Sequence, residues 1–334
     1  MKCRAPLIVL LVALSPGVAA AQNIRYFEMT PLAVSVDGRT LAISGYLTDG
    51  SGTSGMYVIQ MVDSMTGEQL MQIEVDEPHP VEGLALSSDG RLIAYNTANG
   101  DLSVINTVSQ EKRTFMEGGF AEIGYLRFNS DDRLFAYFFG NTILVLDRAQ
   151  NRQRLNLSDS IHASIIGMDW HPTEDQLAVL EYDSESEMIS ILLWEISPTW
   201  QTKLMNRYEV SATNSIRWSP DGNSMATNTF GGVVVTDVAT GEQHTLHAID
   251  TESPVQSIAW NPDGHQIAGG GDGIISVWDV ETGEIVETIA AEDSVWDVYW
   301  APNGEYIYHT GGDAGIYRNG VPLKQAIMVE SVNP

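Results

Sequence analysis

The sequence predicts an all-β protein built from seven similar units. The first observation is a nine-residue pattern, in which an aromatic or apolar residue is followed by a turn and a short apolar run. The second is the regular spacing of its copies, and the third is that no helical periodicity of apolar residues is sustained anywhere. The copies begin at Val34, Leu86, Phe128, Trp170, Trp218, Trp260 and Trp300.

Successive copies are separated by 52, 42, 42, 48, 42 and 40 residues, so one unit recurs along nearly the whole chain. Within a unit, β-branched runs such as GVVVT alternate with turn sequences such as Pro-Asp-Gly. Four short strands in a repeat of roughly 40 to 45 residues indicate a β-propeller blade. We therefore predict a single domain over residues 22–334, a seven-bladed β-propeller of four-stranded blades.

Three units contain a second turn, which we expect to lead the third strand into the fourth. These turns read DSMTGE, DVATGE and DVETGE and begin at Asp63, Asp237 and Asp279. Each places a glycine at the corner that needs a positive φ. The glycines are Gly67, Gly241 and Gly283.

Four of the eight tryptophans occupy one position of the repeat, and we expect them to fill the wedge between neighbouring blades. They are Trp170, Trp218, Trp260 and Trp300. Trp194 and Trp278 are also predicted to be core residues, whereas the pattern assigns no place to Trp200 and Trp296.

A ring of blades must also close, because an unpaired strand edge promotes aggregation. The segment NIRYFE, from Asn23 to Glu28, precedes the first complete unit. We expect this N-terminal strand to complete the last blade. The alternative is LKQAIMVE, from Leu323 to Glu330, as the fourth strand of that blade.

The segment from Trp260 to Glu284 carries a family resemblance. It reads W-x-P-D-G-x-x-[IL]-A followed by V-W-D-V-E-T-G-E, and it resembles the WD-repeat propellers over about residues 24–330. The sequence departs from that family in two ways. No unit has the Gly-His pair that opens a typical WD repeat, and the Trp-Asp pair occurs at the end of a third strand only at Trp278, with a near copy at Trp194. TolB-like and lactonase-like propellers, which share the W-S-P-D-G turn, are similar neighbours.

The first 21 residues have the composition of a cleaved signal peptide. Lys2 and Arg4 precede an apolar run, and small residues end at Ala21. The run is too short to span a bilayer, and no later apolar segment is long enough. Cys3 is the only cysteine and lies in this segment, so we expect no disulfide and no cysteine-based metal site in the exported protein. We predict a periplasmic or secreted protein.

The formal net charge of −27 at pH 7 narrows the classes of partner. Nucleic acids and anionic membranes attract proteins through Lys and Arg, and this chain has 17 such residues against 44 acidic ones. The charge therefore argues against nucleic acids and anionic membranes as partners. We expect a monomer that binds a protein partner.

The loops on one side of the predicted propeller are the candidate interaction surface. The two insertions, Gly45–Gly55 and Tyr182–Met188, extend loops on this side, and the connections between blades bring acidic residues to the same rim. This acidic face would suit a cationic or polar partner. We define it by Glu77, His79, Glu82, Phe120, Glu122, Asp159, His162, Asp250, Glu252, Glu292 and Asp293.

Two functions remain open at this point. The first is a non-enzymatic protein-interaction scaffold that binds through the acidic face. The second is a propeller hydrolase, lactonase or lyase with an axial small-molecule site, with or without a metal. Motifs of metalloproteases, serine hydrolases and P-loop enzymes are missing from the sequence, so we assign no catalytic, cofactor-binding or metal-binding residue and expect the scaffold. Ala268–Gly273 indicates a hairpin, and Asp183–Glu187 a solvated loop.

Overall fold

The computed structural model contains β-strands as its regular elements, and none of the residues it describes belongs to a helix long and apolar enough for a membrane span. It describes residues 23–25, 32–35, 38–48, 55–75, 79–117, 123–139, 142–148, 152–157, 163–212, 214–248, 254–291, 294–311, 316–318 and 321–322. The proposed signal peptide, residues 1–21, lies outside these residues.

Sheet 1 has three long strands and an innermost edge made of two short ones. Both β1 and β2 pair with β3, at its end and at its start respectively, and the order continues from β3 to β4 and β5. The strands are β1 (Asn23–Arg25), β2 (Leu32–Val34), β3 (Thr40–Thr48), β4 (Gly55–Asp63) and β5 (Gln69–Glu74).

Sheets 2 to 4 are four-stranded antiparallel meanders, in which sequence neighbours pair in order. Sheet 2 contains β6 (Val81–Leu86), β7 (Leu92–Thr97), β8 (Leu102–Asn106) and β9 (Lys112–Met116). Sheet 3 contains β10 (Ile123–Phe128), β11 (Leu134–Phe139), β12 (Thr142–Asp147) and β13 (Arg152–Leu157). Sheet 4 contains β14 (Ala163–Trp170), β15 (Gln176–Asp183), β16 (Met188–Ile196) and β17 (Thr202–Glu209).

Sheets 5 to 7 repeat the same meander. Sheet 5 contains β18 (Ile216–Trp218), β19 (Ser224–Thr229), β20 (Gly232–Asp237) and β21 (Gln243–His247). Sheet 6 contains β22 (Ser257–Trp260), β23 (Gln266–Gly270), β24 (Ile274–Asp279) and β25 (Ile285–Ala290). Sheet 7 contains β26 (Val295–Trp300), β27 (Ile307–Gly311), β28 (Ile316–Arg318) and β29 (Val321–Pro322).

The structure places the N-terminal strand differently from the prediction. β1 pairs with β3 of sheet 1, whereas the strand beside β28 in sheet 7 is β29. The physical reason is the insertion after Gly45, which lengthens β3 to nine residues and leaves an edge beyond β2 that β1 covers. The alternative strand Leu323–Glu330 lies outside the described residues.

The predicted second turns are confirmed. In the turns after β4, β20 and β24, the first aspartate accepts hydrogen bonds from the backbone N–H and the hydroxyl of the threonine three residues later. The turn glycines have φ of 72°, 75° and 74°. These glycines are Gly67, Gly241 and Gly283.

Apolar clusters hold consecutive sheets together face to face. Each of the seven clusters among the described residues contains side chains from two neighbouring sheets. One of them joins the first sheet to the last, where Leu32 packs with Ala301 and Tyr308. Gly38 lies at the same junction, since a Cβ there would be 1.9 Å from Cδ of Pro302. This arrangement is that of a β-propeller, with all-β sheets packed around an axis.

The tryptophans predicted to lie between blades do so. Trp170 and Trp218 are buried in the clusters that join sheets 3 and 4 and sheets 4 and 5, and Trp260 and Trp300 pack against the next two clusters. Trp278 is fully buried and donates its indole N–H to the carbonyl oxygen of His247 (2.8 Å).

Trp170 and Trp218 form a matched pair for a stability test. They are 5% and 6% exposed, and Trp170 donates its indole N–H to the carbonyl oxygen of Arg127 (3.1 Å). The Trp218 indole N–H has no partner among the described residues. We expect Trp170→Phe to lower the free energy of unfolding by about 1 kcal/mol more than Trp218→Phe, because only the first loses a hydrogen bond. Urea unfolding followed by circular dichroism measures both, and equal losses would contradict the prediction.

Candidate functional site

Two of the residues that define the acidic face are described by the structure. His79 is half-buried in the connection between β5 and β6, and Glu82 is exposed as the second residue of β6. The others lie outside the described residues, and their place on this face stays a prediction: Glu77, Phe120, Glu122, Asp159, His162, Asp250, Glu252, Glu292 and Asp293.

Exposed apolar side chains also occur on this side of the molecule. In each meander, the hairpin between the second and third strands lies at the same end as the connection to the next sheet. Met56, Met188 and Phe230 lie at such hairpins and are 40%, 40% and 66% exposed. Glu185 and Glu187 are exposed beside Met188. The described residues on this side of the molecule therefore include both exposed carboxylates and exposed apolar side chains.

A cavity of about 300 Å³ opens where the innermost strands converge, and we call it the axial cavity. Its size is at the lower end of the range for small-molecule sites, roughly 300–1,000 Å³. Residues of sheets 1, 2, 3, 5, 6 and 7 line it: Leu32, Glu82, Gly83, Leu84, Tyr125, Leu126, Arg127, Phe138, Asn214, Ser215, Arg217, Gln256, Ser257, Trp296, Asp297 and Tyr299.

The charged residues at the axis come from two positions of the repeat. The residue just before the aligned aromatic is Arg127 in sheet 3, Asp169 in sheet 4, Arg217 in sheet 5 and Tyr299 in sheet 7. Two residues earlier, sheet 7 has Asp297, while sheets 5 and 6 have serines. The fold thus gathers residues far apart in the sequence because each takes the same place on an innermost strand.

The two arginines keep most of their donors unused by the protein. Nη1 of Arg127 donates to the carbonyl oxygen of Leu126 (2.9 Å), and Nη1 of Arg217 donates to that of Ile216 (2.8 Å). Within the part of the chain that the structure describes, neither guanidinium forms a salt bridge with a carboxylate. Burial lowers the pKa of Arg217, but Asp169 and the other acidic groups nearby outweigh this effect and raise it, so the guanidinium is charged.

The two aspartates are hydrogen-bonded by the protein and are largely desolvated. Asp169 accepts the backbone N–H of Trp218 (2.9 Å), and Asp297 accepts the hydroxyl of Ser257 (2.7 Å). Burial raises the pKa of both carboxyls, and the positive charge of Arg217 offsets only part of this rise. Both groups therefore take up a proton more readily than a carboxyl on the surface.

Two tyrosines bridge sheets around the cavity. The Tyr125 hydroxyl donates to the carbonyl oxygen of Asn214, two residues before β18 (3.0 Å). The Tyr299 hydroxyl donates to the carbonyl oxygen of Leu32 (2.8 Å). Gly167 lies next to the hydrogen bond between Tyr125 and Asn214, since a Cβ at Gly167 would be 3.2 Å from the Asn214 carbonyl oxygen. Burial raises the pKa of both phenols, so the tyrosines are neutral hydrogen-bond donors.

The cavity wall is also where the innermost strands are irregular. The registers of β6, β10 and β26, which line the cavity, and of β14 shift near their first residues, and Glu82 and Trp296 lie at two of these shifts. Tyr125, in the same irregularity of β10, has φ of 50°, a conformation that costs a non-glycine residue about 1–3 kcal/mol. Bulges of this kind redirect side chains and are frequent next to binding sites.

The cavity is not among the features predicted from the sequence, although the repeats contain a signal of it. The position before the aligned aromatic is alanine in sheets 1, 2 and 6 but Arg127, Asp169 and Arg217 in sheets 3 to 5. Three consecutive charges at a position on an innermost strand indicate a polar axis. Trp296, which the pattern left unassigned, is explained in the same way, because it lines the cavity.

The structure also bears on the weaker sequence signals. Gly269 and Gly270 end β23, and a Cβ at Gly270 would lie 2.3 Å from Cγ1 of Val295, so this glycine permits close packing of sheets 6 and 7. Asp183 accepts the backbone N–H of Glu185 (2.8 Å) within its turn. Among the described residues, no three His, Cys, Asp or Glu side chains are close enough together to hold a metal ion.

Comparisons with known proteins agree with this architecture. Residues 243–303 match the family model described as the anaphase-promoting complex subunit 4 WD40 domain. A solved chain of the Kuenenia stuttgartiensis hydrazine synthase is similar in fold, with a TM-score of 0.68 and 15% identity, over 92% of this chain and 99% of that chain. The fold is that of a β-propeller, and one segment of the chain matches a WD40 family model. No curated protein matches the sequence significantly.

The raised pKa of Asp297 predicts the sign of a pH effect. The folded protein binds the proton of this carboxyl more tightly than the unfolded chain, whose pKa is near 3.8. Its ionisation therefore lowers stability as the pH rises through the raised value. Relative to Asp297→Asn, we expect the wild type to lose free energy of unfolding as the pH rises above the unfolded value, measured by urea titration at each pH.

Asp279→Asn is the control for that measurement. The backbone N–H of Thr282 lowers the pKa of Asp279, so its contribution to stability is complete above 3.8 and is lost only as the pH falls below that value. The difference between wild type and Asp279→Asn should not fall as the pH rises. Parallel curves for the two variants would contradict the assignment of Asp297 as a desolvated carboxyl.

Proposed function

We propose that this WD-repeat propeller is an exported, non-enzymatic scaffold that binds a protein partner through its acidic face. The WD40 fold supports a role in protein interaction at a general level. The observation that carries the finer proposal is the presence of exposed apolar side chains at hairpins of that face, Phe230 above all. Exposed aromatic residues surrounded by polar groups are the usual anchors of protein interfaces.

The charge of the chain defines the chemistry of the partner. With a formal net charge of −27, the propeller attracts positively charged surfaces and repels negatively charged ones. Glu82 lies on this face, and Glu185 and Glu187 are exposed beside Met188. A partner with Lys or Arg around an apolar patch would match both features.

The proposal includes the location and the organisation of the chain. The composition of residues 1–21 supports export to the periplasm or beyond. The seven repeats, together with the apolar contact between the first and the last sheet, support one ring of seven blades. The enzymatic alternative rests on the axial cavity alone, and the residues described there do not form a recognised catalytic arrangement.

Exposed apolar side chains on opposite faces of the propeller test the proposed interface. Affinity capture from envelope extract with the tagged protein supplies candidate partners, whose binding is then measured with purified proteins. We expect Phe230→Ser with Met188→Ser to weaken binding by roughly 10-fold or more, because both remove apolar contacts. Met65→Ser should have no effect, since Met65 is 54% exposed in the turn after β4, at the opposite end of the sheet.

Charge reversal separates the electrostatic part of the proposal. The triple change of Glu82, Glu122 and Glu252 to Lys should slow association and reduce its dependence on salt. A partner whose affinity and salt dependence stay unchanged in this variant would exclude the acidic face as its binding surface. The same conclusion would follow if Met65→Ser weakened binding as much as the changes at Phe230 and Met188.

A further inference from the structure

The axial cavity holds an excess of hydrogen-bond donors. A guanidinium has five N–H donors, and Arg127 and Arg217 each use one of them in the protein. The Oγ of Ser215 and the indole N–H of Trp296 are buried and have no partner among the described residues. Ser215 is only 6% exposed and lines the cavity. Groups of this kind are costly to bury unless a ligand satisfies them.

The fold itself does not require charges at this place. Sheets 1, 2 and 6 have Ala33, Ala85 and Ala259 where sheets 3 and 5 have the two arginines, and these sheets have the same strand order around the cavity. Replacing buried ionic groups by apolar ones is often neutral or stabilising in other proteins. Charged residues in sheets 3 to 5 therefore indicate a function other than stability.

We propose that the axial cavity binds a small organic acid that carries hydroxyl or ammonium groups besides its carboxylate. The inference goes beyond the scaffold function and does not depend on it. The arginines, Ser215 and Trp296 would donate to the carboxylate, in the manner that planar guanidinium groups favour. Asp297, which lines the cavity, would accept hydrogen bonds from the other groups of the acid.

The arrangement of charges restricts the ligand further. Arg127, Arg217 and Asp297 line the cavity, and Glu82 adds a negative charge where β6 begins. Asp169 does not line the cavity but interacts electrostatically with both arginines. A simple dicarboxylate would bring its second charge close to these carboxylates, whereas a hydroxyl or ammonium group would be attracted by them. The volume of about 300 Å³ limits the ligand to a small molecule, and the bulged strands hold its polar contacts in fixed positions.

The test uses the whole exported chain and two acids, D-gluconate and L-serine, at 20 mM. Gluconate supplies hydroxyl groups and serine an ammonium group, and sorbitol and propionate are controls that lack the carboxylate or the additional donors. We expect at least one of the two acids to raise the midpoint of thermal unfolding by about 3 °C or more, while the controls leave it unchanged. The acid that acts identifies which donor Asp297 prefers.

Variants show whether the effect arises at the axis. Arg217→Gln should abolish the shift, and Ser215→Ala should weaken binding about 5-fold, because each removes a donor to the carboxylate. Ser215→Ala removes a hydroxyl without a protein partner and should fold normally. Arg113→Gln, on the exposed outer strand β9, should leave the shift intact. The proposal is overturned if neither acid stabilises the wild type, or if the shift persists at full size in Ser215→Ala and in a folded Arg217→Gln.

Discussion

The packing of each sheet against its two neighbours is the interaction on which the rest of the structure depends. Every apolar cluster among the described residues joins consecutive sheets, and the cluster around Leu32 joins the first to the last. Because no sheet buries an apolar face by itself, the sheets are stable only as a set. The contact of Gly38 with Pro302 shows that the first and the last sheet are closely packed against each other.

This packing has a consequence for the axis. Twisted sheets that meet face to face bring their innermost strands together, and side chains at one repeat position then converge from every sheet. Apolar side chains of suitable size would fill such a space. Here Arg127 and Arg217 line this space from sheets 3 and 5, and Asp169 of sheet 4 interacts electrostatically with both. Bulges turn Glu82 and Trp296 toward it. The centre of the molecule is therefore polar although the contacts that hold it together are apolar.

The sequence predicted the parts of the fold that repeat and missed those that occur once. Strand order recurs along the chain, and the turn glycines and aligned tryptophans recur in several units, so one unit supports the interpretation of the next. The pairing of β1 with β3 occurs once, because β3 is lengthened after Gly45 while β2 has only three residues and leaves part of its edge open. In sheet 4, where the hairpin is also long, the eight-residue β14 covers β15. The axial residues are absent from the prediction for a different reason: the repeat pattern consists of the residues that the copies share. Arg127, Asp169 and Arg217 occupy one repeat position at which the copies differ, so a search for shared residues passes over them.

The two candidate surfaces differ in how they are built, and this difference bears on what each can recognise. The acidic face consists of loops and hairpin tips, whose side chains can adapt to a large and uneven partner. The axial cavity consists of residues on paired strands, held by bridges such as that from Tyr125 to Asn214. Sites on regular elements fix polar groups more closely than sites on loops. A propeller can therefore hold a small ligand at its centre with defined geometry while its rim binds a protein. Glu82, which is exposed on the face and also lines the cavity, is the residue where the two surfaces meet.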